Sequence, residues 1–399
     1  MVIKLGFAGL GSASRRILAS VEKTPGVQLA AVADVRSEAL DAAAQKYPGV
    51  KTFDSVDALA ACPDVDAVWL ATPNQFHAVH AVTVAGHGKH VIGEKPMAIT
   101  VAECDEIVDA ARENHVKYVQ GHSKLFGSAV RELGSVVASG QLGAVLQIMS
   151  WNSKPWLRQP RLAGELDIAS GGGVVYRQGP HQLDIVRYFG GGEVTSVLGH
   201  VGTDPVLGAD GDYSAMLTFA NGAVATASFI GYGDFDGSEL TWGIGEGGQK
   251  NADHREVMAT RDGPVSMADK YAWADTRHIS SDDDELLQPF FGLTIVTCER
   301  GVIRQSPEGI FVYRDEVRSE IRLPLPARDS GEIYELQRAI EDGDEPFPGA
   351  EWGRATVAVC VAIMDSSRLG APLTPPAQTG LPSHVRLRSG EDRVLAAAD

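Results

Sequence analysis

The chain has 399 residues, enough for two or three domains. A content of 44% hydrophobic and 22% charged residues is globular and excludes wholesale disorder. Lys and Arg number 35 against 52 Asp and Glu, so the net charge of −17 argues against nucleic acid or an anionic membrane as partner.

The first ten residues are apolar but include Lys4 and lack a cleavage-site pattern, so no export signal is expected. Residues 2–8 read as a buried strand, 9–14 as a glycine turn and 15–23 as a helix. Residues 27–33 are a second strand, 37–47 a helix, and 67–71 a third strand. Helices at 75–85 and 101–115 and strands at 90–93 and 117–121 follow. This alternation predicts a parallel sheet covered on both faces. The uncharged run 67–88 contains Pro73, Asn74, Gln75 and three histidines, so no membrane-spanning helix is expected.

The turn Gly9-Leu10-Gly11-Ser12-Ala13-Ser14 has the first two glycines of a dinucleotide fingerprint, with Ser14 at the third glycine position. One glycine serves the tight turn. The other lets backbone, including Ser12 and Ala13, approach a pyrophosphate at the helix start. Asp34 ends the second strand 20 residues beyond Ser14 and suits an adenosine ribose, which favours NAD. Arg36, two residues on, could pair with a 2′-phosphate, so NADP stays open. Lys95 lies at the carboxyl end of a parallel strand, before Pro96, where a side chain points into the ligand crevice.

Past residue 125 the texture changes. A helix at 128–139 precedes strands at 145–151, 194–201, 213–219, 223–232, 291–296, 301–305 and 309–314. Asn221-Gly222 marks a hairpin. Late helices are expected at 331–340 and 352–369. Residues 251–285 are polar, without clear periodicity, and read as a surface arm or lid. The expected fold is α/β: a Rossmann domain over 1–124, an α+β domain with a large, mainly antiparallel open sheet over 125–374, and a largely irregular tail over 375–399. Cys62, Cys104, Cys298 and Cys360 are scattered with no metal spacing, as expected of free thiols in a cytoplasmic protein; no metal is expected.

Several strings resemble the GFO/IDH/MocA oxidoreductases: Gly6-Phe7-Ala8-Gly9-Leu10-Gly11, Ala71-Thr72-Pro73-Asn74, Gly88-Lys89-His90-Val91, Glu94-Lys95-Pro96 and Gly171-Gly172-Gly173. The resemblance implies that Thr72, Asn74, His77, Glu94 and Lys95 line the nicotinamide-ribose side, with Lys95 the catalytic lysine. It also suggests a homo-oligomer through the C-terminal sheet. Gly121-His122-Ser123, Arg158-Gln159-Pro160-Arg161 and Gly179-Pro180-His181-Gln182-Leu183-Asp184 resemble the branch of phthalate 4,5-cis-dihydrodiol dehydrogenases.

The glycines at 171–173 can bring backbone close to a ligand, and a helix resumes at 179–189. His181 and Asp184 share one face of it. His181 could take a hydroxyl proton while nicotinamide takes hydride; Asp184 could orient that imidazole or face cofactor or substrate. Many members of the family carry an acid four residues before the histidine, where this chain has Arg177, which cannot act as a base. Arg158, Arg161 and Arg177 could form a cationic patch for a substrate carboxylate, walled by Trp151 and Trp156. The expected activity is hydride transfer between an alcohol carbon and NAD(P), with a carboxylated cyclic cis-dihydrodiol as substrate. Alternatives are a sugar or cyclitol dehydrogenase, a redox-neutral enzyme that keeps its NAD, and a non-catalytic cofactor sensor.

Overall fold

Strands made of consecutive apolar residues, with no polar face, belong inside a sheet covered on both sides. The computed structural model, which describes residues 2–11, 14–250, 263–276, 286–324 and 330–385, builds such a sheet from the first third of the chain. Its strands are β1 (Ile3–Ala8), β2 (Val27–Ala33), β3 (Lys51–Phe53), β4 (Ala67–Leu70), β5 (His90–Glu94) and β6 (Tyr118–Gly121). They run parallel in the order β3-β2-β1-β4-β5-β6. This is the doubly wound Rossmann order, whose reversal between β1 and β4 opens a ligand crevice at the strands' carboxyl ends. The central strands are the most enclosed: Leu5, Phe7 and all of β4 are buried. Burying each large apolar side chain contributes roughly 2 kcal/mol.

The expected helices are present at Ser14–Lys23, Ser37–Lys46, His77–Gly86 and Val101–Glu113. The last begins with a reciprocal cap: Glu103 N donates to Thr100 Oγ1 at 3.1 Å and Thr100 N to Glu103 Oε2 at 2.9 Å. Sequence reading did not anticipate β3 or the helix Val56–Ala60. Both are too short to show periodicity, and β3 forms because β2 offers it an edge.

The chain divides into two compact units, Met1–Ser123 with Ala327–Val357, and Lys124–Pro326 with Ala358–Asp399. The first unit thus takes in a segment from late in the sequence. Its helix Gly331–Asp342 is tied to the turn before β2, where Ser330 N donates to Thr24 Oγ1 and Gln337 Nε2 to Pro25 O and Gly26 O. Gln120 N donates to Pro348 O, and Arg354 pairs with Asp105 at 2.9 Å. Hydrogen bonds between residues so far apart in sequence have no local signature.

The second unit carries β7 (Val145–Ser153), β8 (Val194–Thr203), β9 (Asp210–Phe219), β10 (Val224–Ile230), β11 (Leu293–Cys298), β12 (Gly301–Ser306), β13 (Gly309–Arg314) and β14 (Val317–Arg322). Among the described residues they form one sheet in the order β14-β13-β12-β11-β7-β10-β9-β8. It is mainly antiparallel, except that β10 pairs parallel with β7. Unforeseen β14 is an edge strand whose Arg318, Glu320 and Arg322 disguise it and discourage further pairing. One sheet face is covered by helix Gly179–Gly190: Gln182 Nε2 donates to Ser150 Oγ at 3.0 Å, and Tyr213 Oη to Gln182 Oε1 at 2.5 Å. Side chains alternate along a strand, so the other face presents the row Leu198, Met216, Thr226, Met149 and Ile295. Leu198, Met216 and Met149 are exposed.

Of the stretch expected to be an arm or lid, 251–262 and 277–285 lie outside the described residues, while Met267–Thr276 is a helix. In the tail, 386–399 also lie outside them. No helix among the described residues is long and apolar enough to cross a membrane.

Candidate active site

The cofactor turn follows β1. Gly9 has φ of +94°, and a Cβ there would lie 2.5 Å from Ala71 O at the end of β4. Only glycine lets the two strand ends meet so closely. Ser14 opens the helix and donates its hydroxyl to Gly11 O at 2.5 Å, closing the turn. Ser12 and Ala13 lie outside the described residues.

Asp34 ends β2 as a node. Leu10 N donates to Oδ2 at 2.7 Å, Arg36 N to Oδ1 at 3.0 Å, and the Arg36 guanidinium reaches both oxygens at 2.9 Å. Burial pushes its carboxyl upward, but these hydrogen bonds outweigh burial and hold it below the ordinary range. Arg36 also donates to Leu10 O at 3.0 Å. The pair therefore fastens the glycine turn. These features fit a dinucleotide: a backbone turn that a Cβ would block, a helix beginning behind it, and an acid at the second strand end.

The Thr72 and Lys95 strings, far apart in sequence, are fastened by one side chain. Buried His77 sets Nδ1 2.7 Å from Pro96 O and Nε2 2.8 Å from Thr72 O. Its ring thus ties the residue after Lys95 to the strand-end turn. Thr72 Oγ1 lies 3.0 Å from His80 Nδ1, and burial lowers the His80 imidazole pKa. Asn74 is buried at the start of the short turn Asn74–Phe76.

Glu94 accepts from Trp69 Nε1 at 3.3 Å. Burial pushes its carboxyl up, against the charges of Lys95 and Arg16. Glu332 of the returning helix is raised too, by burial and by the charge of Glu94. This second buried acid was not foreseen.

In the second unit the predicted cations separate. Arg158 pairs with buried Asp204 at 3.1 Å. Arg161 and Arg177 instead converge on buried Glu165, at 3.9 and 2.9 Å. Lys270, from the stretch read as an arm, joins them at 2.5 Å from Glu165 Oε2, and Leu162 N donates to the same oxygen at 2.8 Å. Burial pushes the Glu165 carboxyl up, but the three cations prevail and bring it down to about 2. One carboxylate thus gathers two arginines and a lysine. Arg161 also lies 4.0 Å over the Trp156 ring.

Trp151 is on the sheet face opposite Ser150, hence opposite the His181 helix, and packs on Phe235 with centroids 5.8 Å apart. Two glycines of the 171–173 stretch let the chain pack closely on its own neighbours. A Cβ at Gly172 would lie 2.7 Å from Asp167 backbone, and one at Gly173 2.9 Å from Asp210 Cβ.

His181 is buried at the end of an aromatic run. Tyr213 stacks on Phe229 at 6.2 Å, Phe229 on Phe291 at 6.3 Å, and Phe291 meets His181 at 5.2 Å. Asp184 is fully buried, and its charge supports Arg187, whose guanidinium burial lowers to about 10. Among the described residues no group of three or more His, Cys, Asp or Glu could hold a metal. The four cysteines are buried free thiols. A separate concavity of about 760 Å³ between Trp242, Phe311 and Arg318 contains none of the predicted site residues.

A Rossmann unit with a strand-end lysine, followed by an open-sheet unit with a buried histidine, defines a nicotinamide-dependent oxidoreductase. Residues 3–122 match the oxidoreductase family with an NAD-binding Rossmann fold, and residues 130–233 match the GFO/IDH/MocA C-terminal domain. The chain belongs to the GFO/IDH/MocA family of NAD(P)-dependent oxidoreductases. It is 30% identical over 378 residues to 1-carboxy-3-chloro-3,4-dihydroxycyclohexa-1,5-diene dehydrogenase of Comamonas testosteroni, covering 92% of this chain and 95% of that one. This similarity agrees with the dihydrodiol branch expected from sequence. A solved protein of Bordetella bronchiseptica RB50, described as a dehydrogenase, is 33% identical with a TM-score of 0.87, covering 94% of this chain and 100% of that one. A levoglucosan dehydrogenase solved with NADH and levoglucosan shares the fold, with 17% identity, a TM-score of 0.74 and the same coverage.

Proposed function

We propose that the enzyme oxidises a carboxylated cyclic cis-dihydrodiol toward a catechol, using NAD. Bound nicotinamide supplies the hydride acceptor. Lys95 holds the carbinol oxygen and stabilises the negative charge that grows on it. His181 accepts the hydroxyl proton. The carbinol thus loses a hydride from its carbon and a proton from its oxygen, and the resulting hydroxyketone enolises to the aromatic diol.

The observation that carries this reading is the gathering of Arg161, Arg177 and Lys270 at Glu165 in a chain of net charge −17. Arg161, Arg177 and Lys270 offer a local field suited to an anionic substrate. The similarity to an enzyme named for a carboxylated ring diol supports the same class. NAD is favoured over NADP because the Asp34 carboxylate ends β2 and would repel a 2′-phosphate. The exposed apolar row across the sheet supports a homo-oligomer built on that face.

The test is to mix protein and NAD with a panel of ring diols, with and without a carboxylate, plus cyclitols and sugars, and to follow reduced-nicotinamide absorbance. The carboxylated diol should give the highest kcat/KM, and its uncarboxylated partner a value about tenfold or more lower. Preference for a cyclitol or sugar overturns the substrate reading. Nicotinamide that stays bound through gel filtration, with no net reduction during turnover, favours the redox-neutral alternative.

A further inference from the structure

Thr72 stands just beyond β4, at the reversal between β1 and β4, and a Cβ at Gly9 would lie 2.9 Å from its backbone nitrogen. It is therefore beside the glycine turn, at the crevice of the first unit. Two imidazoles about one turn apart on the helix His77–Gly86 hold it. His77 Nε2 lies 2.8 Å from its carbonyl oxygen, and His80 Nδ1 lies 3.0 Å from its hydroxyl oxygen. His80 is half-buried and rests against Phe76, with ring centroids 5.7 Å apart. Thr72 is β-branched and precedes Pro73, so its backbone and side chain have few conformations open to them. The contact with His80 selects one of these.

We propose that His80 is a positioning residue for the cofactor: through its Nδ1 it holds the Thr72 hydroxyl ready for the nicotinamide ribose. This rests on the reading of Thr72 as a residue of the nicotinamide-ribose side. A hydroxyl has one donor and two acceptor places, so His80 takes one and fixes where the others point. Burial favours the uncharged imidazole, which brings no charge to the crevice. A hydroxyl already held does not lose rotamer freedom when the cofactor arrives, and that preorganisation strengthens binding. His77 grips the carbonyl of the same residue, so backbone and side chain are fixed by separate rings. Loss of the His80 contact therefore leaves the strand-end turn in place and releases the hydroxyl alone.

The test is fluorescence titration of the full chain with NADH, with NADPH in parallel so that the outcome does not depend on which nucleotide is preferred. His80→Phe keeps a ring against Phe76 but lacks the nitrogen, and should bind about fivefold more weakly. His80→Asn sets a polar atom near the place of Nδ1 and should stay within about twofold of wild type. In a Thr72→Val background, His80→Phe should cause no further loss. Wild-type affinity in His80→Phe overturns the proposal, as does an equal loss in His80→Asn, which would make the ring and not its nitrogen the cause. A loss that persists in the Thr72→Val background overturns it too, because His80 would then act by another route. Should His80→Phe not fold, nitrogen NMR of labelled histidine without cofactor decides: the Nδ1 resonance of His80, assigned by its loss in His80→Asn, should move in Thr72→Val, and an unmoved resonance overturns the contact. No diol enters these measurements, so their failure leaves the substrate reading standing, and a failed diol panel leaves this one.

Discussion

The first unit forms its candidate site largely from backbone, the second from charge. Around Gly9, Thr72 and Pro96 the decisive contacts are carbonyls, a left-handed glycine and one imidazole bridging two loops. Around Glu165 they are long side chains gathered from distant segments onto a buried carboxylate. A backbone-built site tolerates little substitution at its turn residues. A charge-built site can be retuned by single substitutions, and its integrity depends on which groups hold protons.

Replacing Lys95 tests the first half of that contrast most severely. Lys95→Ala should lower kcat by about a thousandfold. Fluorescence titration should show NADH affinity within about threefold of wild type, because the turn at Gly9 and the Asp34 node are untouched. Comparable losses of turnover and affinity would mean that Lys95 serves binding rather than chemistry.

The second half is tested at Glu165. Glu165→Gln leaves Arg161, Arg177 and Lys270 crowded without their anion and should cost about 3 kcal/mol in denaturant unfolding. The pH dependence has a definite sign. Glu165 is lowered from 4.5 to about 2 in the folded chain, so its contribution is complete above 4.5 and fades as pH falls toward 2. Stability of the variant should decline less steeply through that window. Parallel decline in the two proteins would show that Glu165 is not the group responsible.

A smaller effect is expected at the adenosine end. Asp34→Ala frees Arg36 and removes the acid, so the ratio of kcat/KM with NAD to that with NADP should fall roughly tenfold. An unchanged ratio would place ribose discrimination elsewhere. Least disruptive to the fold is Met216→Lys, which puts a charge in the middle of the exposed apolar row. Sedimentation velocity should show a smaller species with unchanged unfolding of the protomer; an unaltered sedimentation coefficient would exclude that face as the contact.

The same contrast explains what could be read in advance. The Rossmann unit was legible because its signals are contiguous: a glycine turn after an apolar strand, an acid at the next strand end and a lysine before proline. Packing around His77 was not, since its two partners lie on either side of it in the sequence and both are carbonyls. Arg161 and Arg177 were picked out by residue type, but the carboxylate that gathers them was missed, as was Lys270 in a segment without periodicity. Trp151 was chosen for its ring, and strand alternation turned it to the other face.

The late segment tied to Thr24, Pro25 and Gly26 has a consequence for biosynthesis. A nascent chain halted shortly after β14 would possess every strand of the cofactor sheet yet lack the helix that Gln337 anchors to it. The cofactor unit is therefore unfinished when its last strand has left the ribosome, and chaperones would meet it with an uncovered flank until residues 327–357 follow.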